Sequence, residues 1–129
     1  MLSVIMPNYN YGHYIEEALE AIFKQSFSPQ EVIVIDDGST DNSVAIIERL
    51  MKKHANLRLL KNDKNMGIIY SVNRALKTVA GKYLYATAAD DKVLPGFFEK
   101  SMNLLLKYPQ AALCCADTRV LEEGQLSDF

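Results

Sequence analysis

Two pairs of adjacent carboxylates are the part of this 129-residue sequence whose residue types most clearly indicate chemistry. Asp36 and Asp37 follow an apolar run and precede a glycine and several hydroxyl and carboxyl side chains, in the stretch VIVIDDGSTDNS. Asp90 and Asp91 follow a second apolar run. Adjacent carboxylates repel each other, so they need solvent, a cation or hydrogen-bond donors nearby. Gly38 beside the first pair allows a sharp turn or a close approach to a ligand. Two such pairs at strand ends indicate a ligand site.

The residue types around these pairs favour a nucleotide as the ligand. Tyr9 and Tyr11 offer flat faces on which a base could stack, and Asp36 could accept hydrogen bonds from a base N–H or a ribose hydroxyl. Asp90 and Asp91 could hold a divalent cation, because hard cations prefer carboxylate oxygens. Such a cation would neutralise a diphosphate and stabilise it as a leaving group. Neither common glycine-rich phosphate loop is present, so a metal-bridged diphosphate is the better fit.

The same residues also have purely structural interpretations. Asp36 and Asp37 could be a helix N-cap with a solvated neighbour, and Asp90 and Asp91 could be an exposed turn before a helix. Tyr9 could simply pack against a loop. The ligand interpretation is favoured because these features occur together in one short chain.

The elements that must position these residues alternate between strand-like and helix-like apolar patterns. Strands are predicted at residues 2–6, 32–35, 57–60, 83–86 and 111–116, and a sixth could begin within 118–121. This alternation predicts a parallel sheet with helices on its faces. The polar clusters at 7–12, 36–39, 61–65 and 90–91 all follow predicted strands. They therefore share one edge of the sheet, which is where open α/β folds bind ligands.

Apolar side chains at three- and four-residue spacing predict the helices between the strands. The third helix is expected to end at Gly81 as its C-cap. The stripes expected to face the core in the third and fourth helices are Ile69, Val72, Leu76 and Val79, and Phe98, Met102, Leu105 and Leu106.

The composition limits the class of protein. A chain that is 49% hydrophobic with a net charge of -2 is expected to form a single domain over residues 1–129. The near-neutral charge without a basic stripe argues against a nucleic-acid partner. No apolar run is long enough for a transmembrane segment, and no signal peptide is evident. Cys114 and Cys115 are adjacent in an apolar run, and we expect two buried thiols in a cytoplasmic protein.

The sequence resembles the family 2 glycosyltransferases, whose nucleotide-sugar-binding domain has the GT-A fold. The matching segments are SVIMPNYNYGHYIEEAL, VIVIDDGSTDNS, the turn Asn65-Met66-Gly67 with Ser71 and Asn73 after it, and GKYLYATAADDKVLPGFF. They occur in the family's order and cover nearly the whole chain. The resemblance implies an α/β fold of GT-A (Rossmann-like) type, three-layer αβα with a mostly parallel sheet, in a truncated version.

The resemblance also implies a function and the residues that serve it. It implies inverting transfer of a sugar from a nucleotide diphosphate sugar, with a UDP-sugar favoured, to a hydroxyl of an acceptor glycan or lipid-linked glycan. The reaction is expected in the cytoplasm or at the inner face of the membrane, assisted by Mn²⁺ or Mg²⁺. The implied nucleotide-binding residues are Pro7, Tyr9, Asp36, Asn65, Gly67 and Asp90, and the implied metal ligand is Asp91.

Two features depart from the family's pattern. Many members carry a further acid two residues before the second pair, at the position of Ala88. Family enzymes also usually continue well beyond this length, and their later part supplies the acceptor site and the catalytic base. The alternative function is therefore a module that binds a nucleotide sugar without turning it over. A phosphorylation-dependent receiver domain is a further alternative, but its acid pair would follow the first strand, where this chain has Pro7-Asn8-Tyr9.

Overall fold

A computed structural model describes residues 1–122 and 125–126. Strands and helices alternate along the chain, as the apolar pattern predicts. In chain order the elements are β1 Leu2–Asn8, α1 Ile15–Phe23, β2 Glu31–Asp36, α2 Ser43–Met51, β3 Leu57–Lys61, α3 Ile68–Leu76, β4 Tyr83–Ala86, α4 Phe97–Lys107, β5 Leu121–Glu122 and β6 Gln125–Leu126.

The first four strands form a parallel sheet in the order β3-β2-β1-β4. The register pairs Asn8 with Asp36 and Asp36 with Lys61, so β1, β2 and β3 end side by side. The chain adds β2 and β3 on one side of β1 and then returns to place β4 on the other side. Such a reversal of strand order is where open α/β sheets form a ligand crevice. The short strands β5 and β6 pair with each other, antiparallel and apart from this sheet.

Helices cover both faces of the sheet, which confirms the three-layer αβα architecture. Because side chains alternate along a strand, Val4 and Val32 point to one face, where they pack with residues of α1, α2 and α4. Ile5, Ile33 and Ile35 point to the other face and pack against α3. Burial on both faces explains why the strands read as continuous apolar runs.

The stripe predicted for the third helix is confirmed in part. Val72 and Val79 are partly buried and pack against the smaller core, but Ile69 is 73% exposed and Leu76 is also exposed. The fully buried residues of α3 are Ser71 and Ala75. Their small side chains allow the helix to approach the sheet closely.

The predicted face of the fourth helix is partly confirmed. Phe98 and Met102 are buried, as expected, and pack in the larger core. Leu105 is half-buried, and Leu106 is exposed. No helix in the described part of the chain is both long and apolar enough to cross a membrane.

Gly81 is not the C-cap of the third helix. α3 ends at Leu76 and its C-cap is Lys77. Gly81 lies further along, where its N–H donates to the Ser3 hydroxyl at 2.9 Å. A Cβ at this position would lie 2.4 Å from that oxygen, so the glycine permits a close approach to β1 and does not terminate a helix.

A buried carboxylate stabilises the amino-terminal edge of the sheet. Glu31 Oε1 accepts hydrogen bonds from the Ser3 hydroxyl and the Ala80 N–H, each at 2.7 Å. Its Oε2 accepts from Arg58 at 2.8 Å. Burial raises the pKa of Glu31, but the bonds from Ala80, Ser3 and Arg58 outweigh it and hold the pKa below its usual value. Glu31 thereby joins β1, β2, β3 and the connection into β4.

The strand predicted at 111–116 is wrong. Residues 111–120 have no regular secondary structure. Leu113 and Cys115 are exposed and Cys114 is half-buried, so the prediction of two buried thiols is also wrong. An apolar run becomes a strand only where it pairs with a neighbouring strand and packs on a core face, and residues 111–116 pair with no strand of the described sheet. The sixth strand predicted within 118–121 coincides with β5 only at Leu121.

Candidate functional site

Asp36 ends β2 and is 2% exposed. Its Oδ1 accepts hydrogen bonds from Asn8 Nδ2 at 2.7 Å and from the Ser39 hydroxyl at 2.6 Å, and its Oδ2 accepts from the Ser39 N–H at 2.9 Å. Because Asn8 is also its register partner, the carboxylate joins the ends of β1 and β2. The protein itself therefore uses the oxygens of Asp36, and the predicted contact with a base or ribose stays a prediction.

Asp37 is 5% exposed and accepts hydrogen bonds from the next loop along the sheet edge. Its Oδ1 accepts from Asn62 Nδ2 at 2.7 Å and from the Met66 N–H at 2.8 Å, and its Oδ2 accepts from the Gly67 N–H at 2.8 Å. Burial raises the pKa of Asp37, but these bonds and one from Ser71 outweigh it and hold the pKa below its usual value. Asp37 thus fixes the loop between β3 and α3. The sequence did not identify this role, although the polar run after β3 supplies the donors.

Gly38 brings the backbone of the β2–α2 turn against the β3–α3 loop. Its φ is +74°, a conformation that glycine adopts without steric cost. A Cβ at this position would lie 2.6 Å from the Lys64 carbonyl carbon and 2.8 Å from the Asn65 nitrogen. The close approach that the sequence predicted for this glycine is therefore to another loop of the protein.

The loop after β1 carries exposed tyrosines at the same edge. Tyr9 is 42% exposed, and Tyr11 is also exposed. Pro7 lies within β1 and is partly buried. The Gly12 N–H donates to Asp41 Oδ2 at 2.8 Å, which joins this loop to the start of α2. The flat faces predicted for base stacking are thus available to solvent.

Asp41 resembles Asp37 in its surroundings. Burial raises its pKa, but bonds from the hydroxyl and the N–H of Ser43 and from the Gly12 N–H outweigh it, so the pKa lies below its usual value. The Ser43 N–H bond, at 2.9 Å, satisfies one of the amides at the start of α2.

Asn65 and Gly67 border the edge between the ends of β2 and β3. Asn65 is exposed, and its Oδ1 accepts from the Gly67 N–H at 3.0 Å. Gly67 has a φ of +89° and is the N-cap residue of α3. Asp37 accepts from the same N–H, so both residues are attached to the acid pair that ends β2.

Asp90 and Asp91 lie on the other side of β1, after β4. Both are exposed. The Thr87 N–H donates to the Ile5 carbonyl at 3.1 Å and the Asp91 N–H to the Ala88 carbonyl at 3.2 Å, so the segment leaves the sheet directly into a turn. These two carboxylates face solvent, whereas Asp36 and Asp37 are bound within the protein.

The fit of this pair to a divalent cation follows from its donor set. Within residues 1–122 and 125–126, no group of three or more His, Cys, Asp or Glu residues could hold a metal ion. Mg²⁺ and similar ions, however, are commonly held by one or two carboxylates, with substrate phosphates and water completing the shell. Asp90 and Asp91 fit such an arrangement, and they do not fit a site made by protein ligands alone.

The fold and the site together define an α/β protein whose polar clusters gather at the carboxyl ends of parallel strands. Comparison with known families gives the particular class. The family model described as "Glycosyl transferase family 2" matches residues 3–126. The chain belongs to glycosyltransferase family 2, as its motifs predict.

Relatives in bacteria are similar over most of the chain. An uncharacterized glycosyltransferase of Escherichia coli K12, YibD, is 37% identical over 125 residues, which cover 96% of this chain and 36% of YibD. The putative teichuronic acid biosynthesis glycosyltransferase TuaG of Bacillus subtilis is 30% identical over 107 residues, 83% of this chain and 42% of TuaG. The chain therefore spans about a third of the length of YibD and somewhat more of TuaG.

Solved structures show the same fold. S. aureus TarS 1-349 in complex with UDP-GlcNAc has a TM-score of 0.77 and 31% identity, over 84% of this chain and 32% of that one. Mannosyltransferase PcManGT from Pyrobaculum calidifontis, in complex with GDP-Man and Mn²⁺, has a TM-score of 0.74 and 29% identity, over 81% of this chain and 32% of that one. The fold is that of the GT-A glycosyltransferases, in a short form, which confirms the predicted fold class.

Proposed function

We propose that this chain binds the nucleotide diphosphate sugar donor of a family 2 glycosyltransferase, with a UDP-sugar favoured. The proposal rests on one observation, which is that the side chains along this edge of the sheet differ in their exposure to solvent. Tyr9, Asp90 and Asp91 are exposed there, whereas Asp36 and Asp37 are buried and hydrogen-bonded within the protein. An aromatic face and an exposed acid pair are what a base and a metal-bound diphosphate require.

The relatives of known structure support this proposal. TarS is seen in complex with UDP-GlcNAc, and PcManGT with GDP-Man and Mn²⁺. Both align over more than four fifths of this chain. The two bases differ, so the preference for UDP here rests on the resemblance of the motifs.

Each residue has a separate task in the proposed site. Tyr9 would stack on the base, beside Pro7, and Asn65 and Gly67 would border the nucleotide. Asp36 would bind the base or the ribose, next to the ends of β1 and β2, which its carboxylate joins. Asp90 would lie near the ribose or diphosphate. Asp91 would hold the divalent cation, Mn²⁺ or Mg²⁺, which when bound neutralises the diphosphate and stabilises it as a leaving group.

For the whole protein we propose inverting transfer of the sugar to a hydroxyl of an acceptor glycan or lipid-linked glycan, at the cytoplasmic side of the membrane. The base that deprotonates the acceptor is not among the residues assigned here. A module that binds the donor without turnover is the alternative, because the chain spans about a third of YibD. Incubation of the chain with a labelled donor sugar separates the two, since turnover by the chain alone would contradict the module.

Calorimetric titration with UDP and with GDP, with and without Mn²⁺, tests the donor site. We expect Mn²⁺ to strengthen UDP binding and Asp91→Ala to weaken it by at least about tenfold, as loss of a metal-supporting group does elsewhere. Asp117→Ala is the matched control, because it removes the same charge from an exposed position outside the sheet edge. Equal UDP affinity of the parent chain and Asp91→Ala, with Mn²⁺ present, would remove Asp91 from the metal site.

A further inference from the structure

Tyr9 lies between two asparagines that both attach its loop to the β2–α2 turn. Asn8 is buried, and its Nδ2 donates to Asp36 Oδ1 at 2.7 Å and to the Ser39 hydroxyl at 3.2 Å. Asn10 follows Tyr9 and bonds to the same turn. The backbone is therefore held on both sides of a ring that is itself 42% exposed.

Asn10 makes its bonds from an unusual backbone conformation. Its φ is +58°, and among the described residues it is the only one other than glycine with a positive φ. Its Oδ1 accepts from the Thr40 N–H at 2.8 Å and from the Asp41 N–H at 3.3 Å. Asparagine tolerates the left-handed region better than most residues, since its short polar side chain can bond locally. Here the side chain bonds to another loop, so the conformation serves a contact between loops.

The Ser39 hydroxyl connects the bonds of both asparagines. It donates to Asp36 Oδ1 at 2.6 Å and accepts from Asn8 Nδ2 at 3.2 Å and from the Asn10 N–H at 2.9 Å. A hydroxyl has one proton to donate and two lone pairs, so these contacts use its full capacity. The Tyr9 segment and the β2–α2 turn are thus one hydrogen-bonded unit.

We infer that Asn10 is a positioning residue for nucleotide binding and acts through Tyr9. The inference rests on the proposed function, in which Tyr9 stacks on the base. Asn10 fixes the backbone that follows the tyrosine, so the ring is carried by a restrained segment at the sheet edge before a ligand arrives. A loop that is already ordered loses less conformational freedom on binding, and the affinity is correspondingly higher.

Substitutions at Asn10 separate its hydrogen bonds from its backbone conformation. Asn10→Gly keeps the positive φ without strain and removes Oδ1, whereas Asn10→Asp keeps an acceptor in place. Loss of one or two hydrogen bonds corresponds to about a three- to tenfold change in an equilibrium constant. We expect Asn10→Gly to weaken UDP binding in the presence of Mn²⁺ by about that factor, and Asn10→Asp to recover most of it.

A double-mutant cycle with Tyr9→Ala distinguishes positioning from a general structural role. If Asn10 acts through Tyr9, Asn10→Gly weakens UDP binding in the parent chain and has little further effect in the Tyr9→Ala background. An equal loss of affinity in both backgrounds would overturn the inference. Urea unfolding of each variant establishes that all titrations use folded protein.

Amide hydrogen exchange without a nucleotide tests the loop contact by itself. We expect faster exchange of the Thr40 and Asp41 amides in Asn10→Gly, because their acceptor is removed. Unchanged exchange would show that Asn10 does not restrain the turn and would overturn the inference whatever the affinities are. If the parent chain binds neither UDP nor GDP while exchange responds as expected, the proposed function fails and the loop contact stands.

Discussion

The two Asp-Asp pairs have the same residues and lie beyond the same edge of the sheet, and their surroundings are opposite. Asp36 is the last residue of β2, whereas Asp90 comes four residues after the last residue of β4. Asp36 and Asp37 are buried and accept hydrogen bonds from side chains and backbone amides of the loops around them. Asp90 and Asp91 are exposed. One pair organises the edge of the sheet, and the other is left available to bind a ligand.

The position of each strand in the sheet explains the difference. β2 is an inner strand with β1 and β3 on its two sides, whereas β4 is an outer strand that pairs with β1 in the described sheet. Loops that leave β1 and β3 can therefore bring donors to the end of β2 from both sides. In the described part of the chain β1 alone adjoins β4, and Asp90 and Asp91 lie in the turn beyond it, so these carboxylates receive fewer donors and stay solvated.

The largest predicted difference between the two acid pairs is in their contribution to the free energy of unfolding. Asp37→Ala removes the carboxylate that accepts from the Met66 and Gly67 amides and from the Asn62 amide group, and we expect it to lower the free energy of unfolding by about 3 kcal/mol. Asp91→Ala removes an exposed carboxylate and should change it by less than about 0.5 kcal/mol. Urea unfolding of both variants measures the difference. Similar losses would show that the two pairs do not divide their roles.

A smaller effect is predicted for the glycine that follows the first pair. Gly38→Ala would be strained at its positive φ and would also press a Cβ against the Lys64 backbone, at a cost of about 2 kcal/mol. Gly96→Ala is the control, because Gly96, the N-cap residue of α4, also has a positive φ, and a Cβ there would meet only the far end of the Lys100 side chain, at 3.9 Å. We expect about 1 kcal/mol for the control. Equal losses in thermal or urea unfolding would mean that the close approach of the two loops is not required.

The smallest predicted effect is on the loss of stability at acid pH. The pKa of Asp37 is lower in the folded protein than the ordinary value of 3.8, so the folded state favours its carboxylate. Its contribution to stability is present above that value and is lost as the pH falls below it towards the lowered pKa. Asp37→Asn should therefore flatten the decline of the melting temperature between about pH 4 and pH 2. Glu31 and Asp41 have lowered pKa values too, so the decline should be reduced and not abolished. An unchanged slope would contradict the role assigned to Asp37.

The sequence predicted the sheet well because local pattern and tertiary environment agree there. The four strands of the main sheet lie where they were predicted: β4 has the predicted bounds, and β1, β2 and β3 are longer by one or two residues. The third helix shows where this agreement fails. Of its predicted stripe, Val72 packs beside Ala75 against the sheet, whereas Ile69 and Leu76 are exposed. The helical spacing allows either face, and the contact with the sheet decides that the small residues Ser71 and Ala75 are the buried ones.

The candidate site was predictable in its place and not in its internal arrangement. Polar clusters after each strand located the edge, since parallel strands end together. The bonds of Asp36, Asp37 and Asn10 depend on which strands are neighbours and on loops distant in the chain. Residue types alone do not show whether the oxygens of a carboxylate already accept hydrogen bonds from the protein. For this reason, the sequence could not distinguish the two acid pairs.

The central place of β1 in the sheet has a consequence for how the chain is made. β1 pairs with β4, whose first residue, Tyr83, comes 75 residues after Asn8. At a synthesis rate of roughly 5 to 20 residues per second, β4 emerges about 4 to 15 seconds after β1. During that interval one edge of an apolar strand has no partner in the sheet. Slower translation through this stretch would lengthen the exposure of that edge and favour misassembly with another nascent chain.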